Sequence, residues 1–113
     1  MKTNIINLEN YRTQLGNVKS KVFTGRDRGL DVREKSHIDE LFNECEKVKF
    51  VIPNDIFSIT PSFLEELFFN VVKVYGKKKL YEKLDLEGNI YDLHEPLNEA
   101  IDRILQRKTG LDK

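Results

Sequence analysis

Apolar and polar residues along this chain change period several times, and each change predicts an element. Asn4 to Leu8 holds Ile5, Ile6 and Leu8 and predicts a first strand. Val18 to Phe23 alternates, with Val18, Ser20 and Val22 on one face and Lys19, Lys21 and Phe23 on the other. This predicts a second strand, at a sheet edge. Thr24 to Leu30, with Gly25 and Gly29, predicts a loop. From Asp31 the period lengthens, and Ile38, Leu41, Phe42 and Cys45 fall at helical spacing. Val48 to Ile52 is a compact apolar run stopped by Pro53, which predicts a central buried strand.

After the connection Asn54 to Ser58, a wide apolar stripe of Leu64, Leu67, Phe68, Val71, Val72 and Tyr75 predicts a helix over Pro61 to Tyr75. Gly76 closes it. Lys77 to Glu82 predicts a short helical turn and Lys83 to Glu87 a strand. A last helix begins near Glu95, with Pro96 in its first turn and Leu97, Ala100, Ile101, Ile104 and Leu105 facing inward. Its basic end, Arg103, Arg107 and Lys108, suits the negative end of the helix dipole. The order β-β-α-β-α-β-α predicts an α/β fold, a four-stranded mixed sheet covered by three helices. A chain of 113 residues suits one domain over 1–113, with a frayed tail at Thr109 to Lys113.

Charge changes this picture little. Lys and Arg total 19 and Asp and Glu total 19, so no net field draws the chain to nucleic acid or membrane. The N-terminal third is nevertheless basic, through Arg12, Lys19, Lys21, Arg26, Arg28, Arg33 and Lys35. Cys45 is the one cysteine, which excludes an intrachain disulfide and fits a reducing cytoplasm. No stretch nears the ~18 apolar residues of a membrane span. His37 and His94 are far apart and belong to no metal-spaced set, and no catalytic constellation or phosphate-cradling loop is legible. The expectation is a cytoplasmic, non-enzymatic protein with no catalytic residue, cofactor or metal.

The informative segment runs from Ile59 to Phe68. Two capping registers compete there. Thr60 caps with Pro61 at the first helical position, or Ser62 caps with Glu65 completing a capping box. In both, the Ser62 hydroxyl lies in the first turn, where the helix dipole favours a phosphate and Glu65 and Glu66 oppose it. Two roles also stand open for the arginines. Arg26, Arg28 and Arg33 form an anion site beside a helix start shaped by Gly29, or Arg33 pairs with Glu65 or Glu66 and joins two helices.

Arg26-Asp27-Arg28-Gly29-Leu30-Asp31-Val32-Arg33 resembles the Arg-x-x-Gly-x-x-aliphatic-Arg signature of the STAS-like domains. Ser62-Phe63-Leu64-Glu65-Glu66-Leu67-Phe68 resembles their Ser-Phe-x-(Asp/Glu)-Glu-x-Phe helix start. Ile52-Pro53 stands where that family has an acidic-aromatic pair. Compared with the related anti-sigma factor antagonists, Thr60 replaces an aspartate and Phe63 a glycine. The resemblance implies a small regulatory signalling domain with Ser62 as phosphoacceptor candidate. It implies docking through Thr60, Ser62, Phe63, Glu65, Glu66 and Phe69 onto a protein partner, first a histidine-kinase-like ATPase. Two alternatives remain, a structural subunit or homodimerising scaffold that uses Phe63, Phe69 and Tyr75, and a weak nucleic-acid binder that uses the basic third.

Overall fold

In the computed structural model, which describes residues 4–87 and 93–109, the chain forms a mixed α/β structure. Strand β1 (Ile5–Asn7) leads into a single 3-10 turn, Leu8–Tyr11. Then come β2 (Gln14–Leu15), β3 (Val18–Lys19) and β4 (Val22–Phe23). Helices α1 (Arg26–Ser36) and α2 (Ile38–Glu44) precede β5 (Val48–Val51) and β6 (Ser58–Ile59). Helices α3 (Pro61–Leu67) and α4 (Phe69–Lys83), strand β7 (Leu84–Glu87) and helix α5 (His94–Thr109) complete the order.

The main sheet has three parallel strands in the order β1-β5-β7. Ile6 sits beside Phe50, and Phe50 beside Leu86. Val48 and Phe50 are buried while Lys49 and Val51, which alternate with them, are only partly so, and one face of the sheet carries the core. The central position expected for this strand is observed. The mixed, four-stranded sheet is not. The expected edge strand Val18 to Phe23 is cut in two because Ser20 Oγ bonds the backbone of Val22, donating to its oxygen (3.1 Å) and accepting from its nitrogen (3.3 Å). A serine bonding to nearby backbone in this way displaces ladder bonds. β3 folds back on β2 around Gly16, whose φ of 63° is open to glycine, and Asn17. β4 instead pairs in parallel with β6, a strand that lies partly in the expected connection.

Two helices also differ from expectation. Helix α1 starts at Arg26, not Asp31, so the segment expected as a loop supplies its first turns. Gly25, at φ 88°, is the residue that turns the chain into the helix. The apolar positions Ile38, Leu41 and Phe42 are buried as expected, but on a second helix. His37, at φ 55°, separates the two. The long helix expected from Pro61 bends at Phe68, so α3 and α4 are distinct. Gly76, at φ 83°, interrupts α4 where the sequence placed a helix end. On α5, Leu97, Ala100, Ile101 and Ile104 are buried and Leu105 packs partly against the core. Residues 110–113 of the expected tail lie outside the described residues.

Helix α3 lies between α1 and α5, and α4 also packs on α5. Phe68 joins the layers, with its ring 5.6 Å from that of Phe50 on the sheet and 6.2 Å from that of Phe42 on α2. No helix of the described residues is long and apolar enough to cross a membrane.

Candidate functional site

The first turn of α3 resolves the competition between caps. Thr60 is extended (φ −83°, ψ 153°) and its Oγ1 accepts from Phe63 N at 3.4 Å, with Pro61 next in the helix. The same oxygen accepts from Gly25 N at 3.3 Å, so one hydroxyl ties the starts of α1 and α3 together. Ser62 is therefore not the cap, and Glu65 closes no capping box. Ser62 is half-buried in the first turn.

Two of the expected docking residues are buried and a third is partly covered. Phe63 is fully buried, its ring 5.2 Å from that of Phe23. It sits under α1 because Gly29, opposite it, has no side chain. Gly29 is helical and does not shape a loop; a Cβ there would lie 2.3 Å from the Phe63 carbonyl oxygen. Glu65 is 1% exposed. Phe69, expected as a docking residue, packs partly against the core and is covered by Arg107, whose guanidinium carbon is 4.6 Å from the ring centre. Thr60, Ser62 and Glu66 keep partial exposure. Tyr75, placed with Phe63 and Phe69 in the scaffold alternative, is partly buried and donates to Asn43 Oδ1 at 3.2 Å.

Glu65 is the centre of an ion-pair cluster drawn from three helices. Its Oε2 accepts from Arg107 Nη1 at 2.7 Å and from Arg26 Nη1 at 3.3 Å. Arg103 Nη1 stands 3.8 Å from its Oε1. Glu66 Oε2 meets Arg26 at 3.4 Å and Arg107 at 3.7 Å. Arg33 donates to the Glu66 backbone oxygen at 2.9 Å and lies 3.9 Å from its Oε1. Of the two roles open to Arg33, the helix-joining one is thus formed. Arg28 stands apart from the cluster, donating to Asp31 at 2.7 Å and to the Tyr11 oxygen. Arg103 and Arg107 belong to the cluster but had been assigned only to the helix dipole. Their spacing of four on the charged side of α5 was the available signal.

A second cluster fixes the loop ahead of α3. Arg12 is only 4% exposed at its side chain and donates to Ser20 O at 2.9 Å, to Glu9 at 3.0 Å and to both Asp55 oxygens at 2.9 and 2.8 Å. Lys19 also pairs with Glu9. The Arg12 bond holds the Asp55 carboxyl below its ordinary value, and the Lys19 and Arg12 bonds do the same for Glu9. Both carboxyls are lowered on folding, so their stabilisation is complete above the ordinary carboxylate range and is lost as pH falls through the lowered values. Urea unfolding midpoints measured against pH are expected to fall in that acid window, and to fall less steeply in Arg12→Gln.

Two positions beyond Asp55 stands Phe57. Phe57 N donates to Lys21 O at 2.9 Å, which fixes its backbone beside β4, yet the residue is 67% exposed. Phe57 falls in the connection Asn54 to Ser58, where a lone aromatic carries no periodic signal. Elsewhere, a groove of about 280 Å³ between α2 and α4 is lined by Asp39, Asn43, Asn70, Val74 and Tyr75 among others. Its polar groups pair across the helices, as in Asn70 to Asp39 at 2.9 Å. No three or more His, Cys, Asp or Glu among the described residues are grouped to hold a metal ion. Comparison with known proteins gives no match, whether to a family model, a curated protein or a solved structure.

Proposed function

We propose that the chain is a non-enzymatic regulatory domain that binds a protein partner through Phe57 and the exposed part of the first turn of α3. The observation that carries this reading is the exposure of Phe57, whose backbone is bonded to Lys21 beside β4. A phenylalanine left in water forgoes burial worth about 1.5–3 kcal/mol. Aromatic rings dominate binding energy at interfaces, and a backbone already bonded in place lowers the entropy lost when a partner covers one. Thr60 and Ser62 stand at the start of α3, which follows directly on β6, the strand after Phe57, and Glu66 lies one turn further along the helix. They supply the polar rim that such an anchor needs.

The resemblance to STAS-like domains supports the same helix start as the docking element and a histidine-kinase-like ATPase as the first partner to test. It also supports Ser62 as the residue whose modification would change docking. Glu66 is already met by Arg26 and Arg107, so part of the charge that opposes a phosphate in this turn is compensated. Photo-crosslinking in cells with Phe57→benzoylphenylalanine is expected to trap a distinct protein. Ser62→Glu is expected to change the yield, and Phe57→Ser to lose that protein in an affinity pull-down from the same cells without lowering the unfolding midpoint. Crosslinks to a second copy alone would establish the homodimer instead, and no crosslink at all would remove the docking face.

A further inference from the structure

We propose that Arg26, Arg103 and Arg107 form a preorganised site for a phosphate monoester, at the surface where α1 and α5 flank α3. Two helices, α1 and α5, direct these guanidiniums at one carboxylate of α3. Each meets Glu65 through Nη1, at 3.3 Å for Arg26, 3.8 Å for Arg103 and 2.7 Å for Arg107. A guanidinium carries five N–H donors in a fixed fork, so one contact with Glu65 leaves donors unspent. The side chains stay open to solvent by 52%, 39% and 37%, respectively. Glu65 itself is sealed off, and so it anchors the arginines without presenting its own charge at the surface.

The charge balance favours an anion. Arg26, Arg33, Arg103 and Arg107 face Glu65, Glu66 and Glu99, four positive groups against three negative ones. Arg107 is further fixed by stacking on Phe69. Long side chains normally lose entropy when they grip a ligand, and these three have already lost much of it to Glu65. A phosphate monoester offers three acceptor oxygens and close to two negative charges near pH 7, which match several convergent forks better than a carboxylate does. Glu99, which bonds Arg103 at 2.6 Å and is itself exposed, is the group a phosphate would displace. The phosphate could belong to a small molecule or to a modified side chain of a peptide.

Isothermal titration of the full chain at constant ionic strength tests this, with inorganic phosphate, a phosphoserine peptide and the same peptide unphosphorylated as probes. Saturable binding of a phosphate probe is expected, with none for the unphosphorylated peptide. Arg103→Gln should weaken it by at least about tenfold, the loss of one charge-assisted contact. Glu99→Gln should strengthen it by about threefold by removing the competitor, a gain that misfolding cannot mimic. Phe57→Ser should leave it unchanged, which separates this site from the proposed docking face. Tighter binding of the phosphopeptide than of inorganic phosphate supports the site with a peptide source, and equal binding supports it with a small-molecule source. No saturable binding of either phosphate probe, or affinities indifferent to both Arg103→Gln and Glu99→Gln, overturns the proposal.

Discussion

Glu65→Gln is expected to lower the unfolding free energy by about 3 kcal/mol, the loss typical when one partner of a buried ion pair is removed. The side chain is nearly inaccessible, and Arg26, Arg103 and Arg107 reach it from two other helices. Glutamine keeps the shape and one acceptor. It removes the charge that balances three guanidiniums, and it adds an amide that cannot accept from them. Those arginines are partly exposed and can recover some hydration, which places the effect at the lower end of the usual range for buried pairs. Glu66→Gln is the internal control. Its carboxylate shares Arg26 and Arg107 but is more exposed, and its strongest arginine bond is made by the backbone oxygen, which the substitution leaves intact. The expected loss there is under about 1 kcal/mol. Urea unfolding of both variants decides the matter, and equal losses would show that Glu65 is not the centre of the cluster.

Adjacent residues of one helix thus have different fates, and this explains what could be foreseen. Helix faces set by long apolar stripes were legible: Leu64, Leu67, Val71 and Val72, and later Leu97, Ala100, Ile101 and Ile104, are buried as spacing requires. So was β5, because a short apolar run before a proline has few other uses. The break at Gly76 was visible because a glycine after an apolar stripe takes up a positive φ and ends the helical run. What escaped was set by partners distant in sequence. Glu65 looked like a capping or surface residue until α5 brought Arg103 and Arg107 to it, across 38 and 42 positions of chain. Phe63 looked available for docking until α1 crossed above it. The short pair β4 and β6 depends on a contact between residues 22–23 and 58–59, and two-residue strands carry no periodicity of their own. The β2–β3 hairpin is different, since Gly16-Asn17 between strand-like residues was a usable turn signal.

Gly29→Ala is expected to destabilise the chain by about 2 kcal/mol net, although alanine in the middle of a helix normally stabilises by about 1 kcal/mol over glycine. The two effects have opposite signs, and the geometry decides between them. The added methyl carbon would stand 2.3 Å from the Phe63 carbonyl oxygen, 2.9 Å from Glu66 Cβ and 3.1 Å from the Phe63 carbonyl carbon. None of these is the free end of a flexible side chain, so no rotamer change relieves the contact, and α1 must move away from α3. Overpacking of a well-filled contact costs about 1–3 kcal/mol, and occasionally more. Here the upper part of that range applies because backbone must shift, which outweighs the propensity gain. The same displacement would stretch the Thr60 to Gly25 bond and the reach of Arg26 to Glu65, at 3.3 Å each. Gly25→Ala provides a different signature, since no atom lies within 4 Å of its Cβ and only its φ of 88° opposes the substitution. A phosphate affinity that falls in Gly29→Ala while Gly25→Ala retains it would tie the helix crossing to the arginine cluster. A Gly29→Ala variant as stable as the parent would mean that the two helices do not approach this closely.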